Sequence, residues 1–255
     1  MDIRVGGWRP DPPSDRDRKF DDLRPKLTAS APGIDKIDLR YLCSPIENQS
    51  SANSCTGNAS VGALEMLEIR EGLPFVDLAR LFAYYNGRMG MEPTEGHLDH
   101  GTYIRLIMDG LHKFGVCPET EWNYDLDKVT MRPSWNSYRA AWNHRIDNFY
   151  RIDAVGDPLI EGIEQALLAK HGVVFGAQVY ESYQSCPGLV SLPKPDEKLL
   201  GGHAQLIVGF DRPARTLIVR NSWGDGWSDG GYAYWPYNLL DACAANDFWV
   251  PTLFT

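Results

Sequence analysis

The sequence contains no Cys-x-x-Cys pair, no internal repeat, no low-complexity tract and no surplus of positive charge. Each absence removes a class of function. The five cysteines, at positions 43, 55, 117, 186 and 243, form an odd and widely spaced set, which speaks against a zinc site or a dense disulfide framework. Lys and Arg number 25 against 34 Asp and Glu, a formal charge of -9, so nothing favours a nucleic-acid backbone as partner. No run approaches the roughly 18 apolar residues of a membrane span. Residues 1–20 are charged and Pro-rich rather than leader-like. We therefore expect synthesis in the cytoplasm, with no membrane partner; export by a leaderless route or prior removal of a leader stays open.

What is present is enough apolar material for a full core: 255 residues, 43% of them hydrophobic. Residues 1–34 read as an extended N-terminal arm. Pro10, Pro12 and Pro13 forbid regular helix there, and Trp8 and Phe20 are its expected anchors on the surface, bracing two halves. Residues 35–145 read as mainly helical. Helices are expected over 55–70, after a cap at Asp77, from Thr102 to Gly115, and over 134–142. Residues 146–255 read as strand-rich, with strands over 145–152, 173–180, 204–210, 216–220 and 231–235 and one helix over 158–169. A cleft between the halves is the expected ligand site. Cys43, Cys117 and Cys243 read as small buried hydrophobes and Cys186 as exposed. His112, His144 and His171 read as structural or surface groups. The loop with Glu95, His97, Asp99 and His100 reads as solvated rather than as a metal site.

Three segments carry chemistry. In Gln49-Ser50-Ser51-Ala52-Asn53-Ser54-Cys55, a polar loop delivers a cysteine to the start of an apolar helix. Unpaired amides and the positive dipole end there favour a thiolate, the nucleophilic form. In Gly201-Gly202-His203, a histidine begins a strand behind two glycines that admit another backbone. In Asn221-Ser222-Trp223-Gly224, an asparagine ends the next strand. Antiparallel pairing of those strands would bring His203 to Asn221. An imidazole then takes the thiol proton, Asn221 fixes the ring's tautomer and orientation without adding charge, and Trp223 covers the bond. The Cys55 N–H and the Gln49 side-chain amide supply donors for an oxyanion.

Gln-x5-Cys at Gln49 and Cys55, Gly-Gly-His at His203, and Asn-Ser-Trp-Gly from Asn221, followed by Trp227 and Gly230-Gly231-Tyr232, together resemble the papain-like cysteine peptidases, and bacterial members in particular. His203 follows Cys55 by 148 positions, within the interval of roughly 130 to 150 described for that family. The resemblance covers roughly residues 35–250. It implies an α+β fold, a helical left domain packed on a β-barrel-like right domain with the active site in the cleft between. It implies Cys55, His203, Asn221 and Gln49 as the catalytic set, no cofactor and no metal, and a peptide or protein substrate. It also implies a protein inhibitor or propeptide as a partner outside this chain.

Thr56 stands where the family usually has an aromatic residue, and Ala52 where secreted relatives have a bracing cysteine. By position, Asp99, His100 and Gly101 correspond to the wall that pairs with substrate backbone, Gly202 and Trp223 adjoin the site, and residues 181–200 line its other side. The leading expectation is a cysteine endopeptidase acting through an acyl-thioester. A transamidase or deamidase of glutamine side chains, and a papain-fold binding protein without activity, are the alternatives at this stage.

Overall fold

In the computed structural model, residues 5–27, 33–91 and 97–253 are described. The elements run α1 (Phe20–Leu23), β1 (Lys36–Asp38), α2 (Cys55–Arg70), α3 (Arg80–Met89), α4 (Ile104–Lys113), α5 (Trp135–Ala141), β2 (Asn148–Ile152), α6 (Asp157–Leu168), β3 (Val173–Tyr180), β4 (Leu199–Asp211), β5 (Thr216–Arg220), β6 (Tyr232–Pro236), α7 (Leu239–Ala242) and β7 (Asn246–Thr252). The fold is papain-like, mixed α+β, with an antiparallel sheet in the order β2-β7-β3-β4-β5-β6 and β1 added on β4. That sheet stays open, with β2 and β6 at the ends of the path, instead of closing as a barrel.

Helix α2 is the centre of the core. Its residues from Cys55 to Glu68 are all buried, which an apolar run without a polar face requires. Even its acids are enclosed: Glu65 accepts from Leu78 N–H at 2.9 Å, from Ser44 Oγ at 2.5 Å and from Arg80 Nη2 at 2.9 Å. On the sheet side Phe175 stacks on Phe248 and meets Trp235 edge-on, while Trp249 is fully buried. One continuous apolar cluster joins helices and sheet.

Several boundaries shift for local reasons. Asp77 does not cap α3. Its carboxylate pairs with Arg80 Nη1 at 2.5 Å and its carbonyl accepts from Glu119 N–H, so the helix starts three residues later. Gly87 lies inside α3 because Ile107 packs where its Cβ would be. Ser134 caps α5 by accepting from Ser137 N–H at 3.2 Å. Strand β4 begins at Leu199, ahead of its two glycines, and β7 is a central strand that the sequence did not suggest. Cys186 is buried, its Sγ 3.5 Å from the Gly188 carbonyl.

Candidate active site

Cys55 is the first residue of α2, held there by the loop before it. Ser54 places its hydroxyl 2.6 Å from Tyr124 Oη, and Asn58 Nδ2 donates to both Ser54 Oγ and the Ser54 carbonyl at 3.0 Å. The turn is thus clamped from both sides, which orients the thiol without a disulfide. All five cysteines are free, including Cys55.

Strands β4 and β5 pair antiparallel with Leu206 opposite Arg220. Continued to the strand ends, this register sets His203 beside Trp223, and the two rings stack at 4.8 Å and 28°. His203 Nε2 lies 2.7 Å from Asn221 Oδ1. That oxygen also accepts from Ser222 N–H at 2.8 Å, which fixes it as the acceptor end of the amide. Nε2 must therefore carry the hydrogen. In the neutral ring the lone pair is then on Nδ1, which has no hydrogen-bond partner among the described residues. A proton acceptor is presented on the side of the ring away from Asn221.

Gln49 is fully buried beside this pair. Its Oε1 accepts from Ser222 Oγ at 2.7 Å and its Nε2 donates to the Ala52 carbonyl at 3.0 Å, so the amide is oriented by the same segment that carries Asn221. Ser222 thus joins Gln49 to Asn221, a link visible only in three dimensions.

The expected substrate wall divides by role. Asp99 is a support: its carboxylate accepts from Asn53 N–H at 3.1 Å and Tyr84 Oη at 2.8 Å. The His100 side chain is exposed. Gly101 takes φ +77° and faces the Gly7 backbone so closely that a Cβ would sit 2.7 Å from Gly7 Cα. The backbone pairing itself belongs to Thr102, whose N–H donates to Gly7 O at 2.9 Å and whose carbonyl accepts from Arg9 N–H at 3.2 Å. Gly202 provides the opposite wall, its carbonyl accepting from Gly6 N–H at 3.0 Å and Trp8 N–H at 3.4 Å.

These contacts correct the expectation for the arm. Residues 6–9 run inside the cleft instead of over the surface, with Trp8 buried between Gly176 and Gly202. Cys55 and His203 are both 0% exposed. A Cβ on Gly7 would lie 2.8 Å from Cys55 Sγ, so only glycine fits against the thiol. The sealed cleft also reverses the expected acidities. Burial pushes the Cys55 thiol up to about 12, against the pull of backbone groups at Ala204, Thr56, Cys55 and Gly7. Burial likewise pushes His203 down to about 4, with the Asn221 bond opposing. With the arm seated the pair is neutral thiol and neutral imidazole; the thiolate expected from the helix start requires an opened cleft.

The Papain family cysteine protease model matches residues 94–250. An uncharacterized peptidase C1-like protein of Acanthamoeba polyphaga mimivirus is 36% identical over 239 residues, covering 89% of this chain and 76% of the viral protein. Cathepsin K of Mus musculus is 26% identical over 216 residues, and the matched region spans only 61% of its length. Among solved structures, Xylellain, a cysteine protease from Xylella fastidiosa, superposes with a TM-score of 0.83 at 30% identity, covering 100% of this chain and 99% of that one. These relatives do not favour glutamine transamidation or a purely binding role. On its fold, its ordered motifs and these relatives together, the chain belongs to the papain family of cysteine proteases.

Proposed function

We propose that this peptidase cuts within polypeptides, with Cys55 as nucleophile, His203 as general base and then acid, Asn221 as the positioning partner of His203, and Gln49 with the Cys55 N–H as oxyanion donors. The observation that carries this assignment is the double acceptance at Asn221 Oδ1, from His203 Nε2 and Ser222 N–H, because it leaves the lone pair of Nδ1 for the thiol proton.

The chemistry follows. With the arm out of the cleft, water reaches the pair and the proton moves from Sγ to Nδ1. The thiolate attacks the peptide carbonyl, and negative charge collects on oxygen next to the Gln49 amide and the helix start. The C–N bond breaks as Nδ1–H protonates the leaving amine. Water, deprotonated by Nδ1, then splits the thioester and restores the thiol. The arm in its seated position excludes any other peptide, so turnover requires its release. A library of peptides read by mass spectrometry, with wild type against Cys55→Ala, tests the assignment. Internal cleavage lost in the variant supports it; a mass change without cleavage would point to side-chain deamidation or transamidation instead.

A further inference from the structure

Strand β4 buries every residue from His203 to Phe210, and after His203 all of them are apolar except Gln205. A primary amide is costly to enclose, and an aliphatic side chain of similar length would fill the place more easily. One end of the amide is accounted for. Trp235 Nε1 donates to Tyr183 Oη at 3.2 Å, and the Tyr183 hydroxyl gives its own hydrogen to Gln205 Oε1. That direction fixes the amide: Oε1 faces Tyr183, and Nε2 is left with no hydrogen-bond partner among the described residues.

The strand register says what lies beside it. Strands β4 and β5 pair Leu206 with Arg220, and the stacked rings of His203 and Trp223 keep the same register three residues away. Gln205 and Asn221 are a pair between these two, opposite each other on one face of the sheet. Asn221 is in the same condition. Its Oδ1 accepts from His203 Nε2 and Ser222 N–H, while its Nδ2, also buried, has no partner among the described residues. Two NH2 groups cannot bond each other. One shared acceptor completes both, and a single water, accepting twice, is the smallest group that does so.

We infer that Gln205 is a positioning residue for the His203–Asn221 pair, holding the Asn221 amide across the two strands through one internal water. The inference rests on the peptidase reading of the site. Asn221 Oδ1 aims the His203 ring, and an amide held only at its oxygen can still turn about its Cβ–Cγ bond. Anchoring Nδ2 as well stops the turn that would draw Oδ1 away from Nε2. Gln205 touches neither substrate nor the reacting atoms; its effect reaches Nδ1 through Asn221 and the ring.

Gln205 also serves Tyr183, and variants separate the two tasks. Kinetics are read in a Gly7→Ala background, where the arm no longer covers Cys55. Tyr183→Phe/Gln205→Leu removes hydroxyl and acceptor together. Relative to Tyr183→Phe alone, its kcat is expected to fall about 10-fold with KM unchanged, less than the roughly 10²-fold of a full 1 Å misplacement. Gln205→Glu keeps an oxygen for Tyr183 and places a second one where Nε2 was, an acceptor for Asn221 Nδ2, and should retain most of kcat. Added to Asn221→Ala, Gln205→Leu should cause no further loss, because the group it acts through is gone. A loss that adds fully to that of Asn221→Ala, or a kcat equal to that of Tyr183→Phe, would overturn the inference while leaving the peptidase reading intact. Should the Gly7→Ala background cleave no peptide, the fault lies with the peptidase reading or with arm release. A crystal structure of the wild-type chain that shows ordered solvent then decides: a water within about 3.2 Å of both Gln205 Nε2 and Asn221 Nδ2 supports the inference, and none there overturns it.

Discussion

Asn221 Oδ1 receives two hydrogen bonds, from His203 Nε2 at 2.7 Å and from Ser222 N–H at 2.8 Å, and the second makes the first unambiguous. Replacing Asn221 by Ala removes the acceptor that holds the tautomer. The ring then swings about the stacked Trp223 face, and Nδ1 loses its aim. We expect kcat to fall by about 10²-fold, the scale of a 1 Å misplacement, with KM little changed. Steady-state kinetics in an arm-released background measures both. A large rise in KM with constant kcat would mean that Asn221 shapes binding instead.

Gln49→Ala should act on the same step from the other side. The Gln49 amide is locked by Ser222 Oγ and the Ala52 carbonyl, so it points one way before substrate arrives. Loss of one such donor typically costs about 10²–10³ in kcat. Gln49→Glu keeps the shape and replaces the donor with an acceptor, and it should be at least as damaging. If Gln49→Glu retained wild-type kcat, the oxyanion role would have to be reassigned.

The seal over the thiol makes a prediction about Gly7. Its Cβ-bearing replacement Gly7→Ala would press on the Asn53 carbonyl carbon at 2.7 Å and on Cys55 Sγ at 2.8 Å, with backbone on one side that has no room to yield. The arm should unseat while the rest of the fold is untouched. Peptide mapping after iodoacetamide at pH 5 should then show Cys55 alkylated much faster in Gly7→Ala than in wild type, where the thiol is covered. Equal labelling would mean that the arm leaves the cleft readily without help. Slow labelling in both would count against a thiolate at that pH.

Stability is concentrated under α2. Glu65→Ala leaves the fully enclosed Arg80 without that partner and leaves the Leu78 N–H and Ser44 hydroxyl short of an acceptor. Breaking a buried pair in this way costs about 3–5 kcal/mol. At roughly 2–4 °C per kcal/mol for a chain of this size, thermal unfolding should fall by roughly 6–20 °C. The remaining Glu47 and Asp77 contacts of Arg80 set the lower end of that range. Differential scanning calorimetry reads it directly.

Helix α2 and strands β3 and β5 were legible because each is bounded by local signals and apolar within: the polar loop before Cys55, the Val-rich run over 173–180 and the Leu-Ile-Val run within 216–220. Cys55, His203 and Asn221 stood out as candidates because motif order survives without any knowledge of packing, and the structure brings His203 and Asn221 together. What the sequence did not reveal is long-range. No strand was expected over 246–252: Asn and Asp are turn-forming residue types, and Asp247 has φ +57°, so β7 is hidden behind an irregular start. Gly201-Gly202 reads as a place that admits another backbone, and the arm is that backbone; what was missed is that β4 runs on through the glycines from Leu199 instead of starting at 204. Nothing local in residues 6–13 says that Trp8 docks on Gly176, Gly202 and Asp247. The available signal was the Gly6-Gly7 pair ahead of a lone tryptophan, which leaves room for a backbone to lie against something.

The arm's anchor is also a titrating one. Asp11 is enclosed with Asp247, Arg105, Arg151 and Asp17, and accepts from Trp249 Nε1 at 2.7 Å and Arg105 N–H at 3.2 Å. Burial first, and then the Asp247 carboxylate, raise the Asp11 carboxyl from 3.8 to about 7, against the Trp249 bond and the Arg105 charge. Asp247 is raised as well, chiefly by burial. The seated arm therefore holds a proton that a released arm gives up near the ordinary carboxylate range. Its contribution to seating is complete below about pH 4 and is lost as pH rises through about 7. Alkylation of Cys55 in wild type, taken relative to Gly7→Ala at each pH so that thiol ionisation cancels, should climb between pH 4 and 8. Asp11→Asn removes the titrating group and should flatten the climb. A ratio that falls with pH would have the opposite sign and would show that the ion pairs to Arg105 and Arg151, not the shared proton, hold the arm in the cleft.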